Sequence, residues 1–229
     1  MGPQVQTPVF CISLKVSQRR HSFAAVASRS NVSFEFFDAV TIDDVRTGLS
    51  VPGCHLDMSD LRWTWHERHD PRRQHGPILF AEIACAYSHL KCRQAAAKMD
   101  ADYVVVFEDD SIIVNPLASI HIPTGTDILY LSNRMPYNER GEAFGYGCGT
   151  EGYLLTRSGI AKCLQIFSIL YMPVDLQLIA HQLSQINLAG NSICQFRRLL
   201  PQDAYLRAYE SDVRYCVYSQ DNSSHILSS

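Results

Sequence analysis

The stretch that decides the fold of this chain is Tyr103-Val104-Val105-Val106-Phe107-Glu108-Asp109-Asp110, an apolar run followed by three acids. An apolar run with no polar alternation is typical of a strand that is covered on both faces of a parallel sheet. The acids begin where such a strand leaves the core, at its carboxyl end, and open α/β sheets place their ligands there. We therefore predict an α/β fold, with a mostly parallel sheet flanked by helices and a ligand site at the rim of that sheet.

The three acids, Glu108, Asp109 and Asp110, need compensation. Adjacent carboxylates repel one another, so the cluster costs stability unless a cation or hydrogen-bond donors offset the charge. Oxygen ligands favour Mg²⁺ or Mn²⁺, and these ions usually coordinate substrate phosphates as well. An acidic turn that faces water explains the same residues equally well. From these eight residues alone, a metal site and a solvated turn both stay open.

Composition narrows the classes of function. The chain has 229 residues, of which 46% are hydrophobic and 19% charged, which is ordinary for a globular protein. We expect a single domain over residues 1–229. The net charge of -3 gives no basic field, so a nucleic-acid partner is not indicated. No apolar run approaches the roughly 20 residues of a membrane span. We expect a cytoplasmic protein, compatible with peripheral attachment to the inner membrane face.

The eight cysteines contain no Cys-x-x-Cys pair and no zinc-finger spacing. Several of them, such as Cys11 and Cys85, lie inside apolar patterns, where a free thiol behaves as a small hydrophobe. We expect all eight to be reduced.

Patterns along the rest of the chain alternate between strand and helix. Strands are predicted at residues 8–14, 31–40, 127–131 and 152–156, and helices around residues 23–27, 78–98, from 157 onward and 176–183. The opening strand, helix and strand form a βαβ unit, typical of a doubly wound sheet. Asp175 is predicted as the N-cap of the last of these helices.

Two segments lack this alternation. Residues 41–77 lose periodicity and form an insert, for which an acceptor pocket and a small helical subdomain are both open. Residues 219–229 are predicted as a flexible tail.

Two further groups of polar residues point to a ligand. Arg19 and Arg20 follow the first strand and would lie beside the acids if the two strands are neighbours, which suits a nucleotide diphosphate bridged to a metal. A solvated helix start explains at least one of them as well. Glu82 and His89 are seven residues apart on one helix face and could hold a substrate. A lone helix histidine is more often structural.

In order along the chain, these pieces resemble the bacterial lipopolysaccharide glycosyltransferases of glycosyltransferase family 25. The matching pieces are Ile12-Ser13-Leu14 with Ser17 and Arg19-Arg20, Phe37-Asp38-Ala39-Val40, Glu82-Ile83-Ala84-Cys85-Ala86-Tyr87-Ser88-His89, Val106-Phe107-Glu108-Asp109-Asp110, Asp127-Ile128-Leu129-Tyr130-Leu131, Gly152-Tyr153-Leu154-Leu155 and Pro173-Val174-Asp175. Ala84 departs from the glycine that the family commonly has. The insert before Ile78 and the last forty residues lie largely outside the resemblance, so the acceptor stays open.

The resemblance implies a GT-A-type, Rossmann-like fold and transfer of a sugar, often galactose, from a UDP-sugar to a saccharide or glycoconjugate acceptor, with inversion. It implies that Asp110 binds Mn²⁺ (or Mg²⁺) directly, and that Glu108 holds the ribose or reaches the metal through water. The residues expected near the nucleotide are Ser13, Arg19, Arg20, Glu82, His89, Glu108 and Asp109.

Inversion also requires a general base within reach of the acceptor hydroxyl. Asp175, at a position that matches the family, is the first candidate, and a plain N-cap is its alternative role. Glu151 and Glu82 are the reserve candidates for the base.

Two other functions stay open. A nucleotidyltransferase also combines a doubly wound sheet with a metal-binding acid cluster, but it normally carries a glycine-rich basic loop after the first strand, and residues 13–20 contain no glycine. A catalytically silent sugar- or nucleotide-binding module is the second alternative.

Overall fold

The computed structural model describes residues 7–58, 77–133, 149–183 and 200–219. The strands are β1 Val9–Ser13, β2 Glu35–Asp38, β3 His55–Leu56, β4 Tyr103–Glu108, β5 Ser111–Ile113, β6 Ile128–Tyr130, β7 Gly152–Thr156, β8 Ile169–Leu170, β9 Ala208–Glu210 and β10 Cys216–Tyr218. The α-helices are α1 Arg19–Arg29, α2 Ile42–Arg46, α3 Pro77–Ala96, α4 Arg157–Ile166 and α5 Val174–Ala180. Short 3₁₀ turns lie at Leu117–Ser119 and Gln202–Ala204.

A six-stranded sheet in the order β2-β1-β4-β7-β6-β9 forms the centre of the described structure. Strand β1 is parallel to both β2 and β4, and β6 is parallel to β9. Strand β7 lies between β4 and β6 and is antiparallel to both, so it runs against the other strands of this sheet. The predicted fold class, α/β with a mostly parallel sheet flanked by helices, is confirmed.

Strand β4 is buried on both faces, as its apolar run predicts. Val104 and Val106 belong to the hydrophobic cluster that includes residues of α3, α4 and α5. Val105 and Phe107 belong to a second cluster on the opposite face, with Phe23 of α1. Each fully buried aliphatic or aromatic side chain contributes about 1.5–3 kcal/mol of transfer free energy. This burial holds the carboxyl end of β4, and the acids after it, at a defined point of the sheet rim.

The predicted second strand is shorter than residues 31–40. Asn31 has a positive φ of 53°, and the amide of Val32 donates to the carbonyl of Ala27, so the chain is still closing the end of α1 there. Strand β2 begins only at Glu35. Sequence pattern alone does not show where this helix-terminating turn ends, because the apolar residues Val32 and Phe34 that follow Asn31 continue the strand-like pattern toward its N-terminal side.

Asp175 is not the N-cap of α5, so that prediction was wrong. The helix begins at Val174, Pro173 occupies the N-cap position, and Asp175 lies in the first turn. The physical reason is that the backbone of Pro173 has the non-helical conformation of an N-cap, with φ -49° and ψ 147°, so the helix starts directly after it. A carboxylate in the first turn is still favourable, because the helix dipole is positive there.

The predicted insert of residues 41–77 begins with ordered structure. A capping box between Thr41 and Asp44 starts α2, and β3 pairs in parallel with β8. Residues 59–76 of this insert, and the predicted tail after residue 219, lie outside the described residues.

The cysteine and membrane predictions can be checked over the described ranges alone. The six cysteines there, at positions 11, 54, 85, 92, 163 and 216, are free, whereas Cys148 and Cys194 lie outside. Among the described helices, none has the length and hydrophobicity required to cross a membrane.

Candidate functional site

A cavity of about 390 Å³ opens at the carboxyl ends of β1 and β4. It is lined by the acids after β4, by the turn that joins β1 to α1, by one face of α3 and by residues 39–43. Its polar and charged lining residues include Ser13, Lys15, Ser17, Arg19, Thr41, Asp43, Ser88, His89, Glu108, Asp109 and Asp110. The rim location follows from the parallel pairing of β1 with β4, in which Ile12 lies opposite Glu108.

Asp109 is held by donors from the turn after β1. The hydroxyls of Ser13 and Ser17 donate to Asp109 Oδ2 at 2.7 and 2.8 Å. Arg19 Nη1 lies 3.8 Å from Asp109 Oδ1. These contacts compensate the charge of Asp109, so this carboxylate connects the two strands.

Asp110 is less well compensated. Its Oδ2 lies 3.4 Å from Arg19 Nη1, whereas its Oδ1 is buried with no hydrogen-bond partner in the described structure. Burial, and then the nearby charge of Glu108, raise the pKa of Asp110 to about 7. A buried carboxylate oxygen without a donor, at a cavity wall and beside two further acids, fits the coordination sphere of a divalent cation.

Glu108 accepts hydrogen bonds from two directions. The Thr150 hydroxyl donates to Oε1, and His89 Nε2 lies 3.2 Å from the same oxygen. His89 is fully buried, its Nδ1 lies 2.8 Å from the hydroxyl of Tyr153, and burial lowers its pKa. Two partners on one oxygen fix the rotation of the Glu108 carboxylate about its last bond.

Arg19 and Arg20 are the first two residues of α1 and diverge to different partners. Arg19 reaches the acids, whereas Arg20 pairs with Asp38, donates to the carbonyl of Ser13 at 3.1 Å, and lies over the ring of Phe36. Two cations at a helix N-terminus oppose the helix dipole, so these partners compensate an arrangement that is locally unfavourable. Neither arginine is a plain solvated helix start.

Glu82 and Asp175 are not among the described residues that line the cavity. Cys85, on the same helix as Glu82, does line the cavity. Burial raises the pKa of the Cys85 thiol, and the charges of Glu108, Asp175 and Glu82 raise it further. All three carboxylates are therefore within electrostatic range of one point on the wall.

Glu151 braces the acid cluster through its backbone. Its carbonyl accepts from the amide of Glu108 at 3.0 Å and from the hydroxyl of Ser111. The residue is buried and is not among the described residues that line the cavity.

A second group of donor atoms lies in the same cavity. The ligand atoms of Cys85, His89 and Glu108 are all within 4.8 Å of one another. Sulfur, nitrogen and oxygen together suit Zn²⁺ better than Mn²⁺, whereas the oxygens of Glu108 and Asp110 suit Mn²⁺ or Mg²⁺. Sequence reasoning missed Cys85, although its spacing of four residues from His89 on a helix was a usable signal.

The architecture and the site define an α/β protein with an acid-lined cavity at the sheet rim, and comparison with known proteins supplies the family. The family model described as "Glycosyltransferase family 25 (LPS biosynthesis protein)" matches residues 6–135. The chain belongs to glycosyltransferase family 25. The resemblance found in the sequence is thereby confirmed, and so is the predicted class, a glycosyltransferase, at the level of the family.

A curated relative from Haemophilus influenzae, named "Putative glycosyltransferase", is 30% identical over 102 residues. That match covers 44% of this chain and 31% of the relative, so the chain spans about a third of the relative's length.

Two solved structures are similar at a TM-score of 0.36 and 10% identity. One is a Drosophila β1,4-galactosyltransferase 7 variant in complex with manganese, UDP-Gal and xylobiose, for which the similarity covers 75% of this chain and 68% of that one. The other is the galactosyltransferase LgtC in complex with donor and acceptor sugar analogues, with 89% and 73% covered.

Proposed function

We propose that this chain transfers a sugar, with galactose as the first candidate, from a UDP-sugar to a saccharide or glycoconjugate acceptor, with inversion at the anomeric carbon. The observation that carries the proposal is Asp110, whose buried Oδ1 has no hydrogen-bond partner in the described structure, at the wall of a 390 Å³ cavity. Membership of family 25 supports the reaction class. An acid cluster at the sheet rim is in keeping with a GT-A-type enzyme.

We assign Asp110 and Glu108 to a bound Mn²⁺ or Mg²⁺. A cation held there would neutralise the diphosphate and stabilise the charge on the departing UDP. Its binding would also offset the repulsion among the three acids, which Arg19 offsets only in part at 3.4 and 3.8 Å. An oxygen-only ligand pair favours these two ions over softer ones.

The chain's own cations and donors face the same cavity. Arg19 lies between Asp109 and Asp110, and the N-terminus of α1 follows the Ser13 turn, so a phosphate there would meet both a guanidinium and a positive helix end. A diphosphate there would therefore meet favourable positive charge from Arg19 and from the start of α1. Arg20 contributes to the same turn by donating to the Ser13 carbonyl at 3.1 Å.

For the general base we propose Asp175, with Glu151 and Glu82 as reserves. Asp175 is half-buried in the first turn of α5, and its charge acts on Cys85 in the cavity wall. In a single displacement the base must take the proton of the acceptor hydroxyl on the side opposite the leaving UDP. Asp175 lies in the first turn of α5, whereas Asp110 lies between β4 and β5.

The acceptor side is proposed to be the insert of residues 41–77. Thr41, Ile42 and Asp43, at its start, line the cavity. A single domain over residues 1–229, and a cytoplasmic location with peripheral attachment to the inner membrane face, belong to the same proposal.

Calorimetric titration with UDP, with and without Mn²⁺, followed by an assay of UDP-galactose turnover with and without saccharide acceptors, tests this function. We expect metal-dependent UDP binding and release of UDP from UDP-galactose. Metal-dependent binding without turnover of any UDP-sugar would identify a silent binding module. Release of pyrophosphate from a nucleoside triphosphate would identify a nucleotidyltransferase.

A further inference from the structure

Arg93, on α3, is a buried cation that the proposed reaction does not use. Its exposed fraction is 0%, and its Nε and Nη1 have no hydrogen-bond partner in the described structure. Its guanidinium lies over the rings of Phe167 and Tyr153, at 4.7 and 5.6 Å from their centroids, and Nη2 donates to the Tyr153 hydroxyl at 3.4 Å. Burial of a charge is costly unless the charge is paired or hydrogen-bonded. The hydrogen-bond acceptor of Arg93 in the described structure is the Tyr153 hydroxyl.

The directions of three hydrogen bonds follow from Arg93. A guanidinium has only donors, so the Tyr153 oxygen accepts from it and the Tyr153 hydrogen points elsewhere. His89 Nδ1, at 2.8 Å, is the acceptor within reach. An Nδ1 that accepts leaves the ring proton of neutral His89 on Nε2, which then donates to Glu108 Oε1 at 3.2 Å.

These hydrogen-bond directions are incompatible with a metal bound by Cys85, His89 and Glu108. A metal on Nε2 would move the ring proton to Nδ1, and Tyr153 would then accept from both His89 and Arg93. The hydroxyl hydrogen of Tyr153 would be left with no acceptor among the described contacts, at a cost of about 1–3 kcal/mol. His89 is a hydrogen-bond donor to Glu108 in this arrangement.

We propose that Arg93 and Tyr153 are positioning residues for Glu108, acting through His89. Arg93 orients the Tyr153 hydroxyl, Tyr153 and the acceptor oxygen of Glu108 together fix the tautomer of His89, and His89 with Thr150 holds that oxygen of the Glu108 carboxylate. The effect on sugar transfer rests on the proposed function, because there Glu108 contacts the nucleotide or its metal. The hydrogen-bond chain itself does not rest on it.

The hydrogen-bond chain is tested directly by the ¹⁵N NMR signals of the His89 ring in the full protein. These signals are assigned by their loss in His89→Gln. We expect protonated Nε2 and unprotonated Nδ1 in the wild type. The same pattern should persist in Glu108→Ala, because Tyr153 still donates, and should become a tautomer mixture in Glu108→Ala/Tyr153→Phe. A protonated Nδ1 in the wild type, or a mixture in Glu108→Ala alone, would overturn the proposal.

The consequence for transfer is tested by Tyr153→Phe, which keeps the ring under Arg93 and removes the hydroxyl. We expect kcat for UDP-galactose turnover to fall by about 10- to 100-fold, the usual effect of losing such an outer hydrogen bond. Tyr171→Phe is the matched control, because Tyr171 bonds His181 Nε2 at 3.2 Å in the core and does not line the described cavity.

We expect Tyr171→Phe to lower the melting temperature about as much as Tyr153→Phe does, and to keep the wild-type kcat. Equal kcat values for the two variants would overturn the positioning role. A wild type that turns over no UDP-sugar would defeat the proposed function, and the NMR result would still decide the hydrogen-bond chain.

Discussion

The Ser13 hydroxyl donates to Asp109 Oδ2 at 2.7 Å, although the two residues are 96 positions apart in the chain. Ser13 ends β1, and Asp109 directly follows β4, so their contact is a consequence of the parallel pairing of these neighbouring strands. Through this bond the turn that carries Arg19 is held against the acid cluster. The bond therefore joins the basic and acidic halves of the proposed site.

Replacement of Ser13 by alanine should lower the free energy of unfolding by about 1–2 kcal/mol, because a buried hydrogen bond to a carboxylate is lost. Ser17 and Arg19 remain on Asp109, so Mn²⁺-dependent UDP binding should weaken rather than disappear. Urea denaturation and calorimetry measure the two effects. Ser119→Ala, which removes an exposed local bond, is the control. Wild-type stability in Ser13→Ala would contradict this prediction.

Asp110→Asn should abolish the Mn²⁺ dependence of UDP binding, because it removes the proposed direct ligand of the metal. In the absence of metal, the variant should be at least as stable as the wild type, since one of three adjacent negative charges is gone. Calorimetry and thermal denaturation in EDTA give both quantities. The control is Asp100→Asn, on an exposed surface ion pair. Unchanged metal-dependent affinity in Asp110→Asn would remove this residue from the metal site.

Asp175→Asn should leave UDP binding intact and reduce transfer by about 10²–10⁴-fold, the contribution of a general base. Stability should change by less than about 1 kcal/mol, because asparagine keeps a side-chain oxygen that can accept from the Leu176 amide, as Asp175 Oδ1 does at 2.8 Å, and the interaction with the dipole of α5 is weakened. Steady-state kinetics and UDP titration separate these effects. Transfer at the wild-type rate would place the base elsewhere, and Glu151→Gln and Glu82→Gln would be compared next.

Removal of metal should abolish the stabilisation of this protein by UDP. With Mn²⁺ present and UDP at about 100 times its Kd, ligand binding should raise the free energy of unfolding by about 2.7 kcal/mol. With EDTA in place of Mn²⁺ the same UDP concentration should have little effect. Denaturation curves under the two conditions measure this difference. Equal stabilisation in EDTA would show that UDP binding does not need the cation.

Gly159→Ala should destabilise the protein by about 3 kcal/mol or prevent folding, because a Cβ there would overlap the backbone carbonyl of Asp127. Gly53→Ala is the matched control. A Cβ at Gly53 meets nothing within 4 Å, and its φ of +77° costs only about 1 kcal/mol for a non-glycine residue. Denaturant unfolding of both variants measures the difference. Similar losses would show that α4 can move away from β6.

The sequence predicted those parts of the site that lie next to a strong local pattern. The apolar run of β4 located Glu108 to Asp110 at a strand end, and the run of β1 located Arg19 and Arg20. Both inferences succeed because a buried strand needs a continuous apolar segment, and the rim must begin where that segment ends. The prediction of Asp175 as the N-cap of α5 was wrong, because Pro173 and Asp175 both suit a helix start and only the backbone conformation decides between them.

Tertiary structure alone decided which side chains meet. Strand β7 pairs with β4 in the antiparallel sense, which brings Thr150 to Glu108 across 42 positions of the chain. The packing of α3 in the same hydrophobic cluster as Tyr153 brings His89 to its hydroxyl across 64 positions. No periodicity in the sequence encodes such pairs, because hydrophobic pattern reports whether a residue is buried and not which strand lies beside it. The sequence by itself thus determined the acid-bearing strand, the fold class and the family. Strand order determined the partners that orient the acids, because a polar side chain takes its role from the donors that packing places around it.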